Sequence, residues 1–134
     1  MRIEDKIEQI NIFLKELEKI KPYSFEQYDL KTSAACERYF EKIVEAIVDL
    51  GYLVIKHCSI NAPEDDRQVF DILVKKNIIS TELANRLKEA KGMRNILSHQ
   101  YGNVDNKVVF NAITKELPKE VAKFIYSINK NLIK

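Results

Sequence analysis

Between residues 36 and 58 the chain places Cys36, Phe40, Ile43, Ile47, Leu50, Val54 and Cys58 at steps of four, three, four, three, four and four. An α-helix returns side chains at that spacing to one side, whereas a strand would scatter them over both faces. Tyr39, Val44 and Ile55 widen the stripe, and a face so wide can cover a core and a partner chain at once. The middle of the chain is thereby committed to a long helix. From Cys36 to Cys58 it spans roughly 33 Å at about 1.5 Å per residue. A disulfide needs Cα atoms within about 7 Å, so the two cysteines do not pair within the chain. Both read as small buried hydrophobes.

The flanking segments repeat the helical period. Ile3, Ile7, Ile10, Leu14 and Leu17 mark a helix over 3–20, which Pro22 ends. The central helical region is expected to start near Ser24, with a break near Thr32, and to run to about Cys58. Residues 61–66, Asn-Ala-Pro-Glu-Asp-Asp, read as a linker, and a short helix follows over about 66–76. Ser80 or Thr81 caps a fourth helix carrying Leu83, Leu87, Ala90 and Leu97, with Gly102 and Asn103 as stop signals. Residues 105–115 read as a further short helix. Pro118 fits the first turn of a last one, which buries Val121, Ile125, Ile128 and Leu132. Only three Gly and three Pro occur in 134 residues, too few for a turn-rich β fold. The expectation is a single all-α domain over 1–134, an antiparallel bundle of five or six helices.

Charge narrows the function. The 22 basic and 20 acidic residues leave a net charge of +2, not the broad basic footprint of many nucleic-acid binders. A phosphate site has to be local, built from a few placed cations. No apolar run approaches the roughly 20 residues of a membrane span. The charged start of the chain does not resemble a secretory signal, so the cytoplasm is the expected location.

The segment RNILSHQY, from Arg94 to Tyr101, concentrates chemical capability at the end of the fourth helix. Asn95 and His99, four apart, share a helical face, and the long Arg94 side chain can reach the same groove. A guanidinium stabilises charge on phosphate oxygens. An imidazole takes or gives a proton near neutral pH, and an amide can fix its tautomer. RNA carries its own nucleophile, the 2′-hydroxyl, so no metal is obligatory. General acid–base cleavage wants two proton-transfer groups. A symmetric dimer with this helix near its two-fold axis would supply both.

Plainer readings stand beside this one. Arg followed five positions later by His is a short pattern, and a His near a helix C-terminus also favours the helix dipole. Glu41, Glu45 and Asp49 lie four apart on the central helix. They form either a solvated acidic face, partly offset by Arg38 and Lys42, or a row from which Glu45 or Asp49 orients Arg94 or His99. His57 beside Cys58 has no second ligand pair at zinc-type spacing, and reads as structural. Tyr23 and Tyr28 are expected to pack rather than stack on bases.

The stretch GMRNILSHQYGNVD resembles the signature of HEPN-domain proteins, specifically the HepT-like toxins. That motif reads Arg, four residues, His, any residue, Tyr. Gly92, Met93, Arg94, Asn95, His99, Tyr101 and Asp105 all fall in place. ERYFEKIVEAIVDLG, residues 37–51, is similar to the family's long helix, and the likeness covers essentially the whole chain. The resemblance implies a helical homodimer with a composite cleft, with Arg94 and His99 as ribonuclease residues and Asn95 supporting them. It further implies an MNT-type nucleotidyltransferase antitoxin that uses ATP to attach AMP to Tyr101. The toxin itself would need neither a cofactor nor a metal. The alternative in another class is a non-catalytic HEPN module that docks a nucleotidyltransferase or a nucleotide.

Overall fold

The 36–58 stripe is buried along its length. Cys36, Phe40, Ile43, Ile47, Leu50 and Val54 are each at most 2% exposed, and Cys58 is half-buried. The computed structural model describes residues 1–99 and 104–132. Among these the helices are α1 (Ile3–Ile20), α2 (Leu30–His57), α3 (Arg67–Lys75), α4 (Thr81–His99), α5 (Asn106–Asn111) and α6 (Leu117–Leu132). A 3₁₀ turn, Phe25–Gln27, precedes α2, and a π-helical segment, Ala112–Glu116, joins α5 to α6. No strand occurs among the described residues.

α1, α3, α4 and α6 each bring an apolar side to α2. Ile10 and Leu17 of α1, Phe70 and Leu73 of α3, Leu87 of α4 and Phe124 of α6 join the α2 stripe in one buried cluster. α1 lies along α2, α3 bridges α2 to α4, and α4 meets α6. Cys36 and Cys58 are free thiols. No helix of the described residues is long and apolar enough to cross a membrane.

Local chemistry sets the boundaries. The Asp29 carboxylate accepts the Thr32 N–H at 2.8 Å and caps α2. α2 therefore starts at Leu30, not near Ser24, and the break lies three residues before Thr32. The 3₁₀ turn that fills the gap sets Phe25 and Tyr28 against Phe110, with ring centroids 5.8 and 5.3 Å away. Tyr28 packs as expected. Tyr23 does not: it is fully exposed, because its segment leaves α1 past Pro22 with no element above it. Ser80, rather than Thr81, caps α4 by accepting the Leu83 N–H at 3.1 Å. Asn77 adopts φ 59°, the left-handed end of α3 that Asn tolerates, and lets Ile78 and Ile79 turn into the core.

The last helical stretch departs from two separate helices. Residues 106–132 run continuously, with the π segment where a break was expected. Pro118 explains it. An α-helical bond to the Thr114 carbonyl would come from the amide of residue 118, and proline has no N–H and crowds that carbonyl. The turn widens, so that Leu117 N–H bonds the Ala112 carbonyl instead. The Thr114 carbonyl accepts Lys21 Nζ from the end of α1 at 3.2 Å, and Thr114 Oγ1 donates to the Phe110 carbonyl at 2.7 Å.

Gly51 permits the approach of α2 to α3, since a Cβ there would stand 2.3 Å from Val69 Cγ1. Gly51→Ala gains about 1 kcal/mol of helix propensity, but it must displace a fully buried β-branched side chain, and overpacking costs about 1–3 kcal/mol. We expect net destabilisation in a urea titration. The double change with Val69→Ala should be less destabilised than the sum of the two singles. Simple additivity would show that Val69 is not the obstacle.

Candidate active site

The buried residues of α4 lie in its first half, and its second half is held by the half-buried Ala90, Met93 and Leu97, with Arg94 beside them. Its side chain is 31% exposed. One terminal nitrogen donates to Asn95 Oδ1 at 3.3 Å, and the other lies 3.9 Å from Glu45 Oε2 on α2. Nε is buried with no acceptor among the described residues. A guanidinium has five donors, and among the described residues the terminal nitrogens of this one make a single hydrogen bond, to Asn95. Glu45 is 63% exposed and its contact is too long for a hydrogen bond. It restrains the arginine loosely rather than locking it.

The acidic row on α2 divides among different cations. Glu41 pairs with Arg38 at 3.5 Å. Lys42 turns away and lies over the rings of Phe13 and Tyr39. Asp49 pairs with Lys6 of α1 at 3.4 Å, not with Arg94 or His99. Glu45 is the member that faces Arg94. Glu45, Asp49, Tyr52, Asp66, Lys91 and Arg94 nonetheless line one cavity of about 180 Å³ between α2 and α4. A larger depression of about 570 Å³ lies between the start of α1 and the end of α2. Its lining is mostly apolar, including Met1, Leu53, Ile55 and Ile60, and it suits packing better than proton transfer.

Asn95 is half-buried beside Arg94, and His99 is exposed as the last described residue of α4. Gly92, Ile96 and His99 share one face, at steps of four and three. A Cβ on Gly92 would meet nothing within 4 Å, and Ile96 is 43% exposed. Tyr101 lies outside the described residues, as do the stop signals Gly102 and Asn103. Asp105 caps α5, accepting the Lys107 and Val108 amides at 2.9 and 3.4 Å, so the chain returns to the bundle soon after His99. His57 ends α2 on the surface, and no group of three or more His, Cys, Asp or Glu among the described residues could hold a metal.

Three residues near Arg94 escaped the sequence reading. The Tyr52 hydroxyl donates to Asp66 Oδ1 at 2.6 Å, and Lys91 Nζ lies 3.7 Å from Asp66 Oδ2. Donation to Asp66 pushes the Tyr52 phenol up to about 12. Lys91 had a legible signal, since it precedes Arg94 by three residues on one helix face. Asp66 had none, because nothing in a linker's composition says which helix it will lean against.

Comparisons with known proteins identify the family and the fold. The model of the family described as Ribonuclease HepT-like matches residues 3–128. The chain is 28% identical over 133 residues to the tRNA nuclease HepT of Aphanizomenon flos-aquae, covering 98% of this chain and 90% of that protein. It is 26% identical over 77 residues, 58% of each chain, to the mRNA nuclease HepT of Shewanella oneidensis. Among solved structures, the tri-AMPylated HEPN toxin of Shewanella oneidensis in complex with its MNT antitoxin superposes with a TM-score of 0.85. The identity there is 23%, and 96% of each chain is covered. That likeness speaks for the fold, in keeping with the all-α bundle seen here. With a family match running from the first turn of α1 to the last turns of α6, the chain belongs to the ribonuclease HepT-like family.

Proposed function

We propose that this protein is a toxin-type endoribonuclease that cleaves RNA without a metal, at a cleft shared by two copies of the chain. The observation that carries this reading is the Arg94 guanidinium, whose one hydrogen bond among the described residues goes to Asn95, on the helix that ends at the exposed His99. The nuclease names of two relatives support RNA as the substrate class.

In the reaction, the 2′-oxygen of a ribose attacks the adjacent phosphorus and its proton passes to a base. The bond from phosphorus to the 5′-oxygen breaks, and that oxygen takes a proton from an acid. The products are a 2′,3′-cyclic phosphate and a 5′-hydroxyl. Arg94 stabilises the negative charge that grows on the phosphate oxygens. His99 serves as base or acid, and Asn95 holds the guanidinium in place. Glu45 acts as a positioning residue that keeps Arg94 turned toward α2. Each chain brings one such histidine, and the second proton transfer falls to His99 of another copy. The Gly92–Ile96–His99 face suits that arrangement. A glycine allows close backbone approach, an exposed isoleucine gains from being covered, and the histidine stands at the end of the same seam.

We further propose that an MNT-type nucleotidyltransferase is the partner and antitoxin, and that it transfers AMP from ATP to Tyr101. Support comes from the AMPylated toxin–antitoxin complex of Shewanella oneidensis and from a similar toxin–antitoxin structure with AMP-PNP, at a TM-score of 0.83.

Purified protein should cut RNA equally well with and without EDTA, and Arg94→Ala and His99→Ala should each lower the rate by about 100-fold or more. Undiminished cleavage by His99→Ala would overturn the mechanism. An absence of cutting, with the nucleotidyltransferase complex intact, would return the chain to the docking-module reading. Co-expression with the cognate nucleotidyltransferase should add AMP mass that Tyr101→Phe abolishes. Retention of the full added mass by that variant would place the acceptor elsewhere. In light scattering the wild type should have the mass of a dimer. Gly92→Leu and Ile96→Asp, both surface changes in the single chain, should shift it toward monomer. Dimers that survive both changes would exclude this face.

A further inference from the structure

We propose that Lys91 is a second phosphate-binding cation of this site, holding the phosphate next to the one gripped by Arg94, with Asp66 and Tyr52 as its positioning residues. The inference rests on RNA being the substrate. Lys91 and Arg94 stand three apart on α4, with Cβ atoms about 5–6 Å apart, and both line the cavity against α2. Lys91 is not an ordinary surface lysine, for its side chain is only 14% exposed. Yet its ammonium makes no short bond among the described residues. Asp66 is its ion-pair partner, and 3.7 Å is beyond hydrogen-bonding distance. Asp66 is held from the other wall by the Tyr52 hydroxyl at 2.6 Å. The ammonium therefore lines the cavity without a short bond to a described residue, and can donate to an anion that enters it.

The carboxylates around it do not bar a phosphate. Lys6 neutralises Asp49, Tyr52 stabilises Asp66, and Glu45, 63% exposed, has room to turn into water. An arriving phosphodiester meets an ammonium that Asp66 orients without a short bond, and adds charge-assisted hydrogen bonds to it. A lysine is a point charge on a flexible stem and demands little of the geometry it meets. Such a contact positions the strand and does not select its sequence. Lys91 should thus affect how RNA is held, while Arg94 affects how fast it is cut.

The test uses the full-length protein and a 2′-O-methyl oligoribonucleotide, which has no free 2′-hydroxyl to attack. Its affinity is measured over a range of salt concentrations, and cleavage of the unmodified strand is measured in parallel. Lys91→Gln should flatten the slope of log affinity against log salt by about 0.7, the share of one phosphate on a single strand. It should raise KM by about tenfold and leave kcat within about twofold. Lys91→Arg should restore the slope, and Asp66→Asn should raise KM without flattening it. A Lys91→Gln variant with unchanged slope and KM, from a wild type that cleaves, would overturn the inference alone, leaving Lys91 as an anchor of the 61–66 linker. A fall in kcat at constant KM would overturn it too, since Lys91 would then act in the chemistry. A wild type that neither binds nor cuts either strand would instead overturn the RNA reading on which it rests.

Discussion

The α2 helix has apolar residues on more than half its circumference, and water has to be removed from all of them. Ile43, Ile47 and Leu50 belong to the narrow stripe, while Val44, Ala46, Val48 and Ile55 extend burial around the cylinder. No single neighbour can cover such a surface, because one helix shields only a strip of another. α1 takes one side, and α3, α4 and α6 take others. The topology follows from that need. α3 and α4 have to return to α2 through short connections, and in doing so they place Asp66 and Arg94 opposite Glu45 and Tyr52.

The candidate site lies where this coverage runs out. Toward its end α4 keeps only the half-buried Met93 and Leu97 against the core, and Gly92, Ile96 and His99 are exposed. Polar groups there are held by contacts of intermediate strength. Arg94 is near Glu45 and Lys91 is near Asp66, but neither pair closes to hydrogen-bonding distance. Tight salt bridges would order these cations at the cost of their availability. The firm contact is instead placed one step back, between Tyr52 and Asp66. The cations are thereby aimed without being consumed.

Periodicity made most of the fold legible before any coordinates. The stripes over 3–20 and 36–58, the linker at 61–66 and the capped start of α4 follow from spacing and from residues whose preferences are local. What escaped were outcomes decided by distant partners. The start of α2 depended on Asp29 capturing an amide, where Ser24 offered an equally plausible start. Tyr23 looked like Tyr28, but only Tyr28 has Phe110 to pack on. At the site, the Arg94–His99 spacing and the acidic row were visible, whereas the assignment of Asp49 to Lys6 required the register of α1 on α2. The roles of Arg94 and His99 came from the family resemblance, since spacing alone was compatible with a capped helix end.

The widened turn at Ala112–Glu116 bears on the site from a distance. Each added residue rotates an α-helix by about 100°, so α5 and α6 could not both face the core if their combined length were off by one. α6 is pinned by Phe124 and Ile128, and α5 begins at Asn106, behind its Asp105 cap. A π turn absorbs one surplus residue and restores the phase. Lys21, by bonding the carbonyl that Pro118 leaves without an amide donor, makes the end of α1 part of that correction. The segment works as a vernier: it lets the core hold α6 in one orientation while α5 keeps the phase that its own apolar side requires.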